Sequence, residues 1–208
     1  MNSPATLSDE LFAQLQGAPM QQLSQQLGTD AAQTRDAVGA ALPMLLGTLG
    51  HNAAQPQGAQ ALYGALQRDH AAAGNIDLGG LLGGLLGGGN AASGPADGGA
   101  ILGHIFGDNR QRAEDNLGQA TGLGGNNAAS LLKLLAPIVM AFLAQRMQGG
   151  NMDAGSLGAT LGQERDAARQ QGGLGGGLLG SLLDQDGDGQ VGLNDLLQIG
   201  GGLLNGRR

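Results

Sequence analysis

The residues whose spacing points most clearly to chemistry lie near the C-terminus, in the run DQDGDGQVGLND from Asp184 to Asp195. Asp184, Asp186 and Asp188 alternate with other residues, and a glycine follows directly. A calcium ion binds roughly six to eight oxygen atoms in a flexible geometry, and alternate carboxylates on a tight turn supply several of them from one short loop. The pattern therefore predicts a Ca²⁺ site in this segment.

The rest of the segment fits a twelve-residue calcium loop in part. Gln190 would contribute its backbone carbonyl, whereas Gly192 has no side chain and leaves its ligand position to water. The loop resembles those of EF-hand proteins, and its final Asp makes it more similar to the loops of dockerin modules. The alternative is an acidic turn that binds no metal, because Asp and Gly are also good turn formers. The predicted metal ligands are Asp184, Asp186, Asp188, Gln190 and Asp195.

The chain before the acidic loop is expected to be helical. Residues 127–147 read NAASLLKLLAPIVMAFLAQRM, with no charged side chain between Leu134 and Ala144. This apolar stretch is too long for a typical strand and falls short of the roughly 18 residues of a membrane span. A helix that is apolar on all sides must be surrounded by other elements. We therefore expect an all-α fold, a multi-helix bundle around this buried central helix, and no membrane span.

Two parts of the chain repeat the same order of features. Pro43 in AALPMLLGTL and Pro137 in LLAPIVMAFL have similar apolar neighbours, and a Gly-containing turn precedes each stretch. An interior proline removes a helical hydrogen bond, so each one should mark a kink or a helix boundary. Ser8 and Asp30 are the expected caps of the first helices. We interpret the pattern as an internal duplication of residues 8–75 and 100–170, with helix–turn–helix-like units.

Glycine separates these parts. The chain has 42 glycines, and in IDLGGLLGGLLGG pairs of Leu alternate with pairs of Gly, so a helix there would carry a leucine ridge and a glycine groove. The alternatives for this segment are a linker, a membrane-associated helix and a helix-packing interface. We favour a linker or intramolecular packing. Small residues also permit self-association. The expected organisation is a first helical repeat (1–80), a Gly/Leu-rich segment with linker (81–99), a second repeat with the central helix (100–172) and a Gly-rich segment with the acidic loop (173–208).

Composition limits the classes of function. The net charge is −7, whereas nucleic-acid-binding proteins usually carry a basic surplus that neutralises phosphates. The absence of cysteine excludes thiolate metal sites and a cysteine nucleophile. The first residues show neither a basic n-region nor an apolar h-region, so we expect a cytoplasmic protein.

Histidines and carboxylates outside the acidic loop form no catalytic set. No carboxylate stands at the spacing of an HExxH motif, and we interpret His104 as a residue packed between helices. The scattered histidines are His51, His70 and His104. The carboxylates that we interpret as solvated helix faces are Glu114, Asp115, Glu164 and Asp166. The protein is therefore expected not to be an enzyme.

Residues 21–42 and 115–136 each read as helix, turn and helix, which is also the layout of a DNA-binding unit. The helix after the turn offers only Arg35 in the first unit and only Lys133 in the second, whereas reading DNA needs several polar or basic side chains. We therefore favour helical packing over DNA recognition and do not expect nucleic acid as a partner.

The stretch from Asp97 to Met147 resembles the YidB-like family of bacterial proteins, through its DGG-x-IL-x-HIFG opening, its LxQATGL turn and its LLxLLAPIVM helix. The resemblance implies an all-α fold with a homeodomain-like arrangement and no established activity. The resulting expectation is a non-enzymatic cytoplasmic protein with one calcium loop that acts through protein contacts or as a homo-oligomer. The alternative is a DNA-associated protein.

Overall fold

The computed structural model describes residues 6–69 and 97–170. Within these two ranges the regular structure is helical and contains no strand, which confirms the predicted all-α fold. A short 3-10 helix, Gly107–Asn109, joins α5 to α6. The helices are α1 (Leu7–Leu15), α2 (Ala18–Leu27), α3 (Ala31–Asn52), α4 (Pro56–Asp69), α5 (Gly98–Phe106), α6 (Arg110–Thr121), α7 (Gly125–Gly149) and α8 (Ala154–Gln170).

Helix lengths follow the same order in the two described parts of the chain. They are 9, 10, 22 and 14 residues for α1 to α4, and 9, 12, 25 and 17 residues for α5 to α8. A glycine in the left-handed conformation closes both α2 and α6, Gly28 with φ 65° and Gly122 with φ 70°. An internal duplication would produce such a succession, and it stays a prediction.

The core is built around α3 and α7. Val139 and Phe142 of α7 are 0% and 3% exposed, so the expected burial of the central helix is confirmed. Helix α3 is equally central, because α1, α2, α5, α6, α7 and α8 all pack against it. By length and composition alone α7 could also cross a membrane, with a mean hydropathy of 1.8, but 72% of its most apolar window is buried inside the protein.

Both interior prolines lie within continuous helices, Pro43 in α3 and Pro137 in α7, so neither is a helix boundary. Each proline leaves the carbonyl four residues earlier without its helical donor. Those carbonyls belong to Gly39 and Lys133, which are both exposed. Gly98 at the start of α5 lies against the Lys133 carbonyl, where an added Cβ would be 2.8 Å from the carbonyl carbon. Packing on both sides of α3 and α7 offsets the lost hydrogen bonds.

The first helix begins differently from the sequence prediction. The cap of α1 is Thr6, whose hydroxyl accepts a hydrogen bond from the Asp9 backbone N–H at 3.2 Å, and Ser8 lies inside the helix. Asp30 caps α3 as predicted, accepting from the backbone N–H groups of Ala32 and Gln33. Ser8 is not needed as a cap because a carboxylate from a distant helix takes over part of that role.

That carboxylate is Glu164 of α8, and the prediction that it is solvated is wrong. Glu164 is 4% exposed and accepts hydrogen bonds from the backbone N–H groups of Leu7 at 2.8 Å and Ser8 at 2.9 Å, as well as from the Ser8 hydroxyl. The first N–H groups of a helix have no partner within it and carry partial positive charge, so they favour a carboxylate. Asp166, in contrast, is exposed as predicted.

Candidate functional site

A groove with a volume of about 650 Å³ lies between α4 and α5. The C-terminal end of α3 and Met140 of α7 also contribute to its lining. Most of the lining is apolar, with Leu62 on the α4 side and Ile101 and Phe106 on the α5 side. Concave apolar surfaces with a few polar groups are typical of binding sites in proteins.

The groove exists because α4 presents small residues on the face that it turns towards α5. Gly58, Ala61 and Ala65 recur three and four positions apart and therefore lie on one face of the helix. The short side chains of Ala61 and Ala65 leave space that larger ones would fill, whereas Gly58 lies against the backbone of Asn52, where an added Cβ would be 2.9 Å from the carbonyl carbon. Helix α4 is held from its other sides, because it packs against α7 and α8 and buries Leu66 completely.

Asn52 at the end of α3 fixes one end of the groove. Its side-chain Nδ2 donates a hydrogen bond of 2.8 Å to the backbone carbonyl of Ile105. The last carbonyl groups of a helix lack partners within it, so this contact satisfies an acceptor near the C-terminal end of α5. It also brings that end of α5 next to the turn between α3 and α4.

The side chains of Arg68 and His104 lie at the edges of the groove. Arg68 on α4 and His104 on α5 are both exposed and both contribute to the lining. The expectation that His104 is packed between helices is therefore wrong. The ion pairs found in residues 6–69 and 97–170 do not include Arg68. The groove thus combines an apolar interior with an edge that favours an anionic group.

The predicted metal ligands Asp184, Asp186, Asp188, Gln190 and Asp195 all lie outside the described residues, as does His70. Among the described residues there is no group of three or more His, Asp or Glu side chains that could hold a metal ion. Of the other carboxylates, Glu114 forms an ion pair of 2.7 Å with Arg110, and Asp115 is exposed.

The helix–turn–helix-like units are part of the core. Helix α3 follows α2 and carries Arg35, and α7 follows α6 and carries Lys133; both side chains are exposed. The larger part of each of these two helices is nevertheless buried against neighbouring helices. The second helix of each unit is therefore mainly a core element and offers solvent only part of its surface.

Sequence reasoning did not anticipate the groove. The signal that could have indicated it is the spacing of Gly58, Ala61 and Ala65 in PQGAQALYGALQRD, which places small residues along one helix face. That spacing alone does not reveal whether a neighbour fills the space. The answer depends on where α5 lies, and α5 is separated from α4 by 28 residues of sequence, 70–97.

Comparison with known families places this fold in a group of bacterial proteins. Residues 9–146, from α1 nearly to the end of α7, match the model of a family described as bacterial protein of unknown function (DUF937). No curated protein and no solved structure matches the chain. Because the family model covers more than half of the chain, the protein belongs to this family of bacterial proteins of unknown function.

Proposed function

We propose that the protein is a non-enzymatic cytoplasmic protein that acts by associating with a second copy of itself through the groove between α4 and α5. The observation that carries the proposal is the groove itself, an apolar concavity of about 650 Å³. Its polar lining residues are Asn52, Arg68 and His104, and Asn52 is already bonded to Ile105. This chemistry suits the binding of an apolar partner surface with an acidic neighbour.

A second copy is a suitable occupant because the chain itself carries the matching chemistry. Its net charge is −7, so a copy supplies acidic groups for the edge at Arg68 and His104. The sequence also contains Leu/Gly-rich runs, such as LLGGLLGGG, whose leucines suit an apolar groove. The resemblance of residues 97–147 to the YidB-like family adds no activity to this proposal.

Introducing a carboxylate into the groove should weaken self-association by roughly tenfold or more, because an unpaired buried polar group costs about 1–3 kcal/mol. Ala61→Asp is the suitable change, since Ala61 lines the groove and is exposed in the monomer. Arg68 is seven residues further along α4, two helical turns from the new carboxylate. Sedimentation equilibrium over a range of concentrations, with calcium and with chelator, gives the association constant.

Gln60→Asp is the matched control. Gln60 is also exposed on α4 but does not line the groove, and the substitution introduces the same carboxylate. We expect it to leave the association constant unchanged within about twofold. A wild-type chain that stays at its monomer mass of 20.6 kDa at all concentrations, or equal effects of the two substitutions, would contradict the proposed self-association.

We propose in addition that the acidic loop binds one Ca²⁺ through Asp184, Asp186, Asp188, Gln190 and Asp195 and that the ion stabilises the C-terminal segment. Support comes from the register of the carboxylates in the sequence. Calorimetric titration of the intact chain should give one site. The double variant Asp186→Ala/Asp188→Ala should bind roughly a hundredfold more weakly or worse, because two charged ligands are lost.

A charge-matched control separates specific coordination from general acidity. Asp36→Ala/Asp108→Ala removes two carboxylates that are exposed in the described helices. This variant should bind calcium like the wild-type chain. Equal heats of binding for all three proteins, or no heat for the wild type, would show that the loop is an acidic turn without a metal.

Association with DNA is the alternative function. Its support is limited to the exposed positions of Arg35 in α3 and Lys133 in α7. Specific DNA recognition needs several base and phosphate contacts from one surface. Because most of α3 and α7 is buried and the chain is acidic, self-association through the groove is the better supported proposal.

A further inference from the structure

We propose that the element which occupies the groove is the chain's own segment 76–88, IDLGGLLGGLLGG, bound with its leucines against α4 and α5. The inference deepens the proposed function by naming the part of the second copy that binds. It rests on the proposed self-association in one respect only, namely that a second copy supplies the segment. Residues 70–96 lie outside the described ranges, so the argument uses their sequence and the geometry of the groove.

The leucines of the segment have the spacing of a helix that binds in a groove. Leu78, Leu81, Leu82, Leu85 and Leu86 stand at positions i, i+3, i+4, i+7 and i+8, which share one helix face. The glycines between them would occupy the opposite face. Such a segment has one apolar ridge to bury and no second apolar face that would need another partner.

The dimensions of ridge and groove agree. From Gly58 to Arg68 the lining follows α4 for ten residues, about 15 Å at 1.5 Å per residue. A helical ridge from Leu78 to Leu86 would extend for about 12 Å by the same rise. The small side chains of Ala61 and Ala65 give the leucines room between α4 and α5.

The charges also agree. Asp77 is the one Asp, Glu, Lys or Arg residue in the sequence from 70 to 96, and it stands directly before the first leucine of the ridge. Arg68, at the edge of the groove, belongs to none of the ion pairs found in the described ranges. A bound segment would therefore place its single carboxylate at the end of an otherwise apolar ridge, where an arginine at the groove edge complements it.

Chain connectivity brings the segment to the site. Helix α4 ends at Asp69 and α5 begins at Gly98, and both helices line the groove. Each interior glycine costs a helix about 1 kcal/mol relative to alanine, so the contacts of the leucines in the groove have to offset that cost.

Engineered cysteine pairs test the proposal directly, because the chain contains no cysteine of its own. A disulfide requires Cα atoms roughly 4.4–6.8 Å apart, so mild oxidation reports proximity. We expect the pair Leu82→Cys/Ala61→Cys, one residue on the ridge and one in the groove, to form a disulfide at least about tenfold faster than its controls. The controls are Gly80→Cys/Ala61→Cys, with the cysteine on the opposite helix face, and Leu82→Cys/Gln60→Cys, with the cysteine outside the groove.

The mass of the oxidised protein then separates the two proposals. Covalent dimers at concentrations where the wild type self-associates support both of them. Disulfides formed within single chains support the segment as the occupant and overturn self-association through the groove. If the three pairs react at equal rates while all reduced variants keep the wild-type melting temperature, segment 76–88 does not occupy the groove, whatever the sedimentation results show.

Discussion

Replacing Glu164 with alanine is expected to lower the free energy of unfolding by about 2–3 kcal/mol, because hydrogen bonds to a charged group contribute about 1.5–3 kcal/mol. The carboxylate is 4% exposed and accepts from the backbone N–H groups of Leu7 and Ser8, two of the donors that α1 cannot satisfy internally. Its loss would leave these donors without a protein acceptor. For a protein of this size the melting temperature should fall by about 4–12 °C.

Urea denaturation followed by circular dichroism measures the loss, and two further variants assign its cause. Glu164→Gln keeps the shape and one acceptor oxygen, so it should cost about 1 kcal/mol, less than alanine does. Asp166→Asn removes a charge from the same helix at an exposed position and should change stability by less than about 0.5 kcal/mol. If Glu164→Ala and Asp166→Asn had equal effects, the contact with α1 would contribute nothing to stability.

Replacing Gly50 with alanine is expected to destabilise the protein by about 1–3 kcal/mol, since the new methyl group would overpack the contact between α3 and α8. Its Cβ would lie 2.9 Å from the carbonyl carbon of Leu161, closer still to the carbonyl oxygen, and 3.3 Å from the Cβ of Arg165. Backbone atoms cannot rotate away as a flexible side chain can. Helix α8 would therefore have to shift, and with it Glu164 and its hydrogen bonds to α1.

Gly39 provides the matched control on the same helix. An added Cβ there meets only the Phe12 ring, at an ordinary contact distance of 3.7 Å, and Gly39 is exposed. Gly39→Ala should therefore stabilise the protein by up to about 1 kcal/mol, the difference in helix propensity between the two residues. Opposite signs for the two substitutions in urea denaturation would support the close approach of α3 and α8. A stabilising Gly50→Ala would contradict it.

Both predictions concern the position of α8, which contacts α3 and α4 and reaches the start of α1. Its position also matters for the groove, because α8 supports α4 on the side away from α5. A shift of α8 would therefore be transmitted to the wall that carries Ala61 and Ala65. Association measurements on Gly50→Ala are accordingly not a clean test of the groove, and the Ala61→Asp and Gln60→Asp pair serves that purpose instead.

Several features of the fold could be predicted from the sequence because they depend on one helix at a time. The uncharged run in 127–147 indicated a buried central helix, and the helix is buried from Leu135 to Ala144. Asp30 was recognisable as a cap because its partners are two and three residues away. Periodicity and capping are local properties, and local sequence determines them.

Other features were decided only by the tertiary structure, because they join residues that are distant in sequence. Glu164 looks like any helical carboxylate, yet it binds Leu7, 157 residues away, and so becomes buried. The small residues of α4 would pack tightly against a close neighbour, but the position of α5 leaves the space beside them open as a groove. The pairing of helices depends on contacts across the whole chain, and no local pattern specifies which charged side chain meets which helix end.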